Sequence, residues 1–573
     1  MDIIYKPGGK EMTALDHNEI TAESMITLTI PQNGEYRVPK GIRAEDAMKY
    51  DTEARDTPVV AVKIDNSLED LDTVLDKDCT LEFVDLNSEE GMRIYQNGLI
   101  LVLSRAAEEI IPEGRVVLEH SLGNAVYGEI SMKVALKVSD VEKIEKRMRS
   151  IINGGGQIER LTLPLEDAVN LFGARGMQGK VGLLGYWDSQ TVRVVRSGDY
   201  YDYVLGPVVP DLGILKHFRL KFYLPGFILE LPRKKDPLRL PEYIEHGKLA
   251  NVFFEADKWG KILKVRDVVS LNRVLERGDP GDLIRVAEAF QEKKISQVAD
   301  MITTNIDRTR LVLVAGPSSS GKTTFSKRLS IQLRVNGINP YAISLDDYFV
   351  DRERTPRGEN GEYDFESIDA IDRELFNEHL IKLIQGEEID LPRYNFKTGM
   401  REYHGEKLKL KSYDLIVVEG IHGLNDMLTS SIPKGRKFKV YVSAITHLSL
   451  DRQKRVHTTD LRLIRRMVRD YNFRGYSAVQ TLERWPMVRL GEERNIFPFQ
   501  EEADAMFNSA LVYELAVLKG YAQPLLESVP RESPQYSEAR RLLGILSFLK
   551  VLGCDEVPSN SLVREFIGQS CFY

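Results

Sequence analysis

Residues 311–324, LVLVAGPSSSGKTT, constrain this chain more than any other stretch. Leu311 to Ala315 form an apolar run of strand length. Gly316-Pro-Ser-Ser-Ser-Gly321-Lys322-Thr323 then fits the phosphate-binding pattern G-x-x-x-x-G-K-[ST] at every fixed position. The FSKRLSIQL that follows has helical spacing, so strand, glycine loop and helix stand in the order such a loop requires. Glycines let the backbone wrap close to phosphate oxygens, and N–H groups at a helix N-terminus supply partial positive charge. Gly316, Ser318, Ser319, Ser320, Gly321, Lys322, Thr323 and Thr324 are the candidate contacts to a nucleoside triphosphate. Lys322 adds a full charge toward the terminal phosphates. Thr323 offers a hydroxyl to Mg2+, a hard cation that prefers oxygen.

The rest of the composition narrows the setting. A chain of 573 residues suggests three or four domains. A net charge of −8 argues against broad, non-specific nucleic-acid binding by the whole chain, though not against a local basic site. Cys79, Cys554 and Cys571 match neither a disulfide framework nor a metal spacing, and point to a reducing cytoplasm. The N-terminus lacks a basic segment followed by an apolar one, so no secretory leader is expected. No apolar stretch is long enough to span a bilayer, so no membrane association is expected. LLGILSFLKVLG, interrupted by Lys550, is expected to be a packed helix.

In chain order, residues 1–24 form a lead without strong periodicity. Residues 25–87 read ITLTI, a turn at PQNGE, YRVP, a short helical AEDAMKY, VVAVKI, a turn at Asp65-Asn66 and CTLEFVDL. That order predicts a small α+β domain. It resembles the TGS domain found at the front of threonyl-tRNA synthetases. Residues 88–240 continue the likeness: Tyr95 to Ile130 and residues 192–220 resemble the second N-terminal domain of those synthetases. The family builds an editing site there from H-x-x-x-H and C-x-x-x-H pairs. The matching positions here are Asn97, Leu101, Val204 and Val208. Aliphatic side chains neither ligate a metal nor carry a proton, so the expectation is a retained fold without the chemistry. The resemblance leaves two roles for this half: an RNA, tRNA or nucleotide partner, or a scaffold or regulatory function without editing. His120 in LEHSLG has no ligand partner at useful spacing and reads as structural. LPRKKDPLRLPEYI marks a boundary. Residues 241–303 are expected to be a helical connector broken at Gly278-Asp-Pro-Gly281.

Residues 304–515 alternate strands and helices, which predicts an α/β domain with a mostly parallel sheet flanked by helices. PYAISL ends at Asp346-Asp347, YDLIVV ends at Glu419-Gly420, and KFKVYVSA is a third strand. Ligands collect at the carboxyl ends of such strands, so the loop, Asp346 and Glu419 should converge. Phosphoryl transfer to an alcohol needs positioned phosphates, a metal, an in-line hydroxyl and a group to take its proton. Asp347 fits a turn or cap role as well as a chemical one.

SLDDYF, YDFESIDAID, PRYNFKTGMR, VVEGIHG and RLIRRMVRDYNFRG occur in the order of the uridine kinase and phosphoribulokinase superfamily, and the uridine kinase branch is the better likeness. The resemblance, over roughly residues 305–515, implies an ATP- and Mg2+-dependent kinase of a small-molecule, nucleoside-like acceptor. By motif it implies Asp346 as the base, with Lys322, Arg469 and Arg474 acting on phosphate. Thr323, Asp346 and Glu419 form the implied metal shell. Glu366, Tyr394, Phe396, Arg401 and Arg466 are the implied substrate contacts. Gly399 stands where the uridine kinase pattern has a base-reading His, and a glycine cannot hydrogen-bond a pyrimidine edge. EGIHG, with His422, is also similar to a phosphoribulokinase segment, so a sugar-phosphate acceptor is an alternative. A regulatory nucleotide-binding protein associated with RNA is another, though no N-K-x-D guanine-reading motif occurs. The arginine-rich segment 451–475 is expected to form a lid from which two or three arginines reach phosphate, the rest lying on the surface. Residues 516–573 form a helical tail, expected to pack on the kinase core or to support a homo-oligomer.

Overall fold

The computed structural model describes residues 25–358, 361, 363–411, 413–446 and 448–572. The lead at 1–24 lies outside the described residues.

The front of the chain folds as its alternation dictates. In Met25–Ile30 the residues Ile26, Leu28 and Ile30 point inward, and the strand pairs antiparallel with Gly34–Pro39. Asp65 and Asn66 both adopt positive φ, 48° and 62°, which is the backbone a two-residue hairpin turn needs between Val59–Ile64 and Ser67–Glu69. Cys79–Asp85 joins Met25–Ile30 in parallel and Val59–Ile64 antiparallel, completing a five-stranded mixed sheet.

The helix Glu89–Ile110 follows, with Ser88 Oγ capping the Gly91 N–H at 3.0 Å. A four-stranded sheet (Arg219–Tyr223, Gly226–Glu230, Ala125–Ser131, Arg115–Leu122) and a three-stranded one (Glu159–Pro164, Thr191–Ser197, Tyr200–Tyr203) make up the rest of this region. The connector is helical as expected: Gly247–Leu263, Val268–Glu276 and Gly281–Thr304. None of the helices among the described residues is long and apolar enough to cross a membrane.

The loop-bearing region is an all-parallel five-stranded sheet in the order Asn339–Ser344, Asp414–Glu419, Leu311–Ala315, Lys437–Ser443, Ala505–Asn508. Leu311 to Ala315 are all fully buried, the continuous apolar run expected of a central parallel strand with both faces covered. Two elements were not foreseen. The short edge strand Ala505–Asn508 carries little periodicity, and PRYNFKTGMR turns out to lie on an antiparallel hairpin, Ile389–Asn395 with Met400–Leu408.

The two halves interlock. Ser449 to Arg455, which lead into the helix Thr458–Arg474, dock on the front. Leu118 N–H donates to Arg452 O at 2.8 Å, Val268 N–H to Ser449 O at 2.9 Å, and Lys454 Nζ to Asp202 at 2.8 Å. Buried Lys180 pairs with both Asp202 and Asp451. The tail packs on the loop-bearing region through Glu514–Glu527, Tyr536–Ser547 and the single turn Arg564–Ile567. Only the first part of LLGILSFLKVLG is helical: the helix stops at Ser547 and Phe548 and Leu549 are buried in non-helical backbone.

Candidate functional site

The loop is shaped by what its glycines touch. A Cβ on Gly316 would stand 2.0 Å from Val442 O on the neighbouring strand, so no side chain fits there. Ser319 and Gly321 take positive φ, 56° and 84°, and turn the chain into the helix Lys322–Val335. The Ser319 and Ser320 hydroxyls are buried without a hydrogen-bond partner. Lys322 Nζ folds back to Pro317 O at 3.1 Å. Two loop N–H groups already face carboxylates: Ser318 N–H donates to Glu492 Oε1 at 2.9 Å, and Thr324 N–H to Glu565 Oε2 at 3.1 Å.

The strand ends bring the expected acids to this loop. Thr323 Oγ1 donates to Glu419 Oε1 at 2.9 Å, and Glu419 Oε2 is buried with no partner. Desolvation pushes the Glu419 carboxyl up to about 7, opposed by Lys322 and reinforced by Asp346. Asp346 sits in the one-turn segment Leu345–Tyr348 and opens to the cleft. Its carboxyl is still held above the ordinary range by the desolvating walls, with Lys322 as the main opposing charge and Arg474 and Arg469 contributing. Desolvation also lowers Lys322, against Glu419, Glu565 and Asp346. Glu366 is pushed up to about 7 by desolvation and then by Glu492, with Arg466 opposing. Asp347 is spent on structure: its carboxylate accepts from Arg393 Nη1 at 3.0 Å and from the Tyr394 N–H at 3.3 Å, fixing the hairpin.

The helix Thr458–Arg474 carries the arginines in two sets. Arg466, Arg469 and Arg474 converge on buried Asp470 at 3.2, 3.1 and 3.3 Å, and Arg466 Nη1 also donates to Ser318 Oγ at 2.6 Å. The remaining arginines were expected on the surface; Arg462 and Arg465 correct that expectation, at 1% and 0% exposed. Arg462 is paired with Glu492 and donates to Ser318 O, and Arg465 is paired with Glu514 at 2.6 Å and donates to Ser319 O. They hold the loop backbone. The partners Glu492 and Glu514 lie in other helices, so helical spacing alone gave no signal for them.

On the acceptor side, Tyr394 is buried with its hydroxyl unpartnered and its ring lies 5.5 Å from Phe349 and 5.1 Å from Phe396. Phe396 is 58% exposed at the end of the hairpin. Arg401 spends most of its fork within the protein, on Asp372 at 3.0 Å and Phe349 O at 3.1 Å, leaving Nε buried and unpartnered. Gly399 has φ 73°, and Arg352 covers it: a Cβ there would lie 2.7 Å from Nε and 2.8 Å from Cβ of Arg352. Thus the loop, Asp346, Glu419, Glu366 and the arginines around Asp470 come together, while Arg401 and Phe396 belong to the hairpin side.

The residues fit both expected cofactors. The unpartnered Glu419 oxygen beside the Thr323 hydroxyl is an oxygen pair suited to a hard cation. The loop N–H groups, already turned on carboxylates, would serve phosphate oxygens equally.

In the front half, Asn97 is exposed, Val204 is half-buried, and Leu101 and Val208 are buried. Val208 N–H donates to Asp70 at 3.0 Å. His120 is buried and stacked on Phe253 at 3.7 Å, with desolvation lowering its ring well below the usual value. It serves packing.

Comparison with known proteins divides the chain by region. Residues 311–516 match the model of the Phosphoribulokinase / Uridine kinase family, and this part of the chain has the fold of a P-loop kinase domain. The N-terminal part is similar to threonine–tRNA ligases. That of Symbiobacterium thermophilum is 28% identical over 198 residues, 34% of this chain and 30% of the relative. That of Acetivibrio thermocellus is 26% identical over 197 residues, 34% of this chain and 31% of the relative. The chain therefore spans about three tenths of the length of these curated relatives. Among solved structures, a "possible uridine kinase" from Bacillus stearothermophilus is 19% identical, with 37% of this chain and 98% of that chain covered at a TM-score of 0.25. A D-glycerate 3-kinase from Cryptococcus neoformans is 14% identical, with 46% and 89% covered at a TM-score of 0.21.

Proposed function

We propose that the chain transfers the γ-phosphoryl group of ATP to a hydroxyl of a nucleoside-like small molecule. One observation carries the reading: Asp346 is exposed at the end of its strand, within the field of the loop lysine Lys322 and of Arg474 and Arg469. A pure nucleotide switch has less need of a carboxylate placed for an acceptor. In this reading Asp346 takes the proton of the acceptor hydroxyl as its oxygen attacks the γ-phosphorus and the bond to the β-phosphate bridge breaks, leaving ADP. Lys322 and the arginines gathered by Asp470 balance the charge that spreads over the phosphoryl oxygens. Thr323 and Glu419, with Asp346 nearby, would hold Mg2+, which supplies further charge neutralisation on the phosphates when bound. Glu366 and Tyr394 would face the acceptor.

A second acceptor class has an observation of its own. Arg352 stands over Gly399, where the uridine kinase pattern reads the base, and a guanidinium fork suits an anionic acceptor such as a sugar phosphate. The likeness of the front half to threonine–tRNA ligases supports an RNA-linked role beside the chemistry, which filter binding with bulk tRNA across a salt series tests.

The deciding experiment is a screen of nucleosides and sugar phosphates with ATP and Mg2+, read as ADP release, with Asp346→Asn alongside. The variant is expected to bind ATP but lose about 10²–10⁴-fold in turnover. Full turnover by Asp346→Asn would remove it as the base, and no acceptor-dependent ADP release from any compound would count against the kinase reading.

A further inference from the structure

Residues 561–572 pack against the phosphate loop. Ser561, Leu562, Val563 and Phe566 are buried in the main core, so this segment is a fixed part of the fold. Arg564 anchors it through Val557 O and Cys554 O, each at 2.7 Å. Asn472 Nδ2 donates to Phe566 O at 3.1 Å, and Lys327 Nζ to Phe572 O at 2.7 Å. From this anchored turn Glu565 reaches the start of the loop helix, 241 residues away in sequence. Its Oε2 accepts from both Thr324 N–H at 3.1 Å and Thr324 Oγ1 at 2.8 Å. Leu562 meanwhile lies over Gly321, with Cδ2 at 2.0 Å from where a Cβ would be.

Thr324 follows the lysine and threonine of the loop, and its N–H belongs to the first helical turn, whose donors such loops present to phosphate. A carboxylate there caps the helix and interacts favourably with its dipole. A bland reading as a permanent cap is countered by comparison with Glu492, the other carboxylate on the loop. Glu492 is fully buried and pinned by Arg462 and by Arg489 at 3.0 Å. Glu565 lies in the field of Lys322 but makes no ion pair within 4 Å among the described residues, is only half-buried, and sends a flexible side chain to Thr324. It also adds negative charge near Glu419, where phosphates would enter.

We infer that Glu565 is a built-in competitor for the nucleotide site: its carboxylate fills the Thr324 phosphate position in the free protein and must swing away for a nucleotide to seat. The inference rests on the reading of the loop as a nucleotide site. Because only the vacated fraction of the protein can bind, the apparent dissociation constant is raised by the inverse of that fraction. Like charge on the entering phosphates adds to the effect. The backbone of the segment can stay packed while the side chain moves, so the core it shares is not sacrificed.

Calorimetric titration of MgATP into the full chain, Glu565→Ala, Glu565→Gln and Lys322→Ala tests this. Glu565→Ala is expected to bind about tenfold more tightly than the parent, and Glu565→Gln to bind more tightly as well. Equal or weaker MgATP binding by Glu565→Ala, with Lys322→Ala abolishing binding, overturns the competitor and leaves the nucleotide site standing. Absence of binding by every form, Glu565→Ala included, overturns the nucleotide site and the competitor with it.

Discussion

Thr323 Oγ1 donates to Glu419 Oε1 at 2.9 Å, so the hydroxyl that follows the loop lysine and the carboxylate ending a parallel strand already share one point in the cleft. The second Glu419 oxygen is buried and unpartnered. In the proposed mechanism this pair would hold the Mg2+ ion. Thr323→Ala and Glu419→Gln are each expected to raise the Mg2+ concentration for half-maximal turnover by about 10–100-fold, with smaller changes in acceptor KM. A Mg2+ titration of ADP release checks this, and an unchanged Mg2+ requirement in both variants would take the pair out of the metal site.

Arg462 and Glu492 are 1% and 0% exposed and pair directly, beside the Ser318 N–H that Glu492 also accepts. Breaking a buried pair from one side leaves the other charge undercompensated, here with Arg489 as the remaining cation on Glu492, so Arg462→Met is expected to cost about 2–3 kcal/mol in urea unfolding. The loss of the Arg462 bond to Ser318 O should loosen the loop and raise the KM for ATP as well. Replacing both partners by apolar residues removes the undercompensated charge, so the double variant Arg462→Met with Glu492→Leu should recover most of the stability while the loop defect remains. A single variant costing under about 1 kcal/mol would contradict this account.

Glu119 offers a pH test away from the cleft. It is pushed up to about 7 by desolvation and by Asp257 and Glu129, against Arg266 and Lys261. Arg455 and Tyr127 also face it. In the unfolded chain the same carboxyl titrates at the ordinary value of 4.5. The folded protein therefore holds the extra proton between these values. That contribution is fully present below about pH 4.5 and is lost as pH rises through about 7. Glu119→Gln carries no such proton. Relative to the parent it should be unchanged at pH 4.5 and more stable at pH 8 by up to about 3 kcal/mol. Urea midpoints at the two pH values decide it; a difference that is the same at both would show that Glu119 does not titrate as described.

The parts of this site that sequence made legible are those governed by local rules. A fixed loop pattern, apolar strand runs and acids at strand ends are enough to bring Gly316–Thr324, Asp346 and Glu419 together, because a parallel sheet aligns its carboxyl ends. Asp65-Asn66 was legible as a turn for the same kind of reason: short polar side chains tolerate positive φ. What stayed hidden depends on contacts between distant segments. Arg462 and Arg465 look like any charged face until Glu492 and Glu514 close on them. Glu565 reads as part of an ordinary helical tail until the fold delivers it to Thr324. Likewise Ser449–Arg455 reads as a basic run, and only the assembled chain seats Lys454 on Asp202.

Gly399 carries the last prediction, because it decides what the hairpin can read. Its φ of 73° is a region that side-chain-bearing residues rarely adopt, and the Cβ of any replacement would fall 2.7 Å from Arg352 Nε and 2.8 Å from its Cβ. The Arg352 backbone cannot simply retreat, since its N–H donates to Gly399 O at 2.8 Å, and its Nη2 is engaged by Phe396 O at 2.6 Å. Gly399→His alone is therefore expected to destabilise by about 1–3 kcal/mol and to leave the preference among acceptors where it was. Adding Arg352→Gly removes both the Nε and the Cβ contact and clears the space for an imidazole beside Tyr394 and Phe396. The double variant is then expected to raise turnover of uridine or cytidine relative to anionic acceptors, compared with either single change. If Gly399→His alone folds as stably as the parent and turns the specificity to pyrimidine nucleosides, then Arg352 does not occupy the position that reads the acceptor.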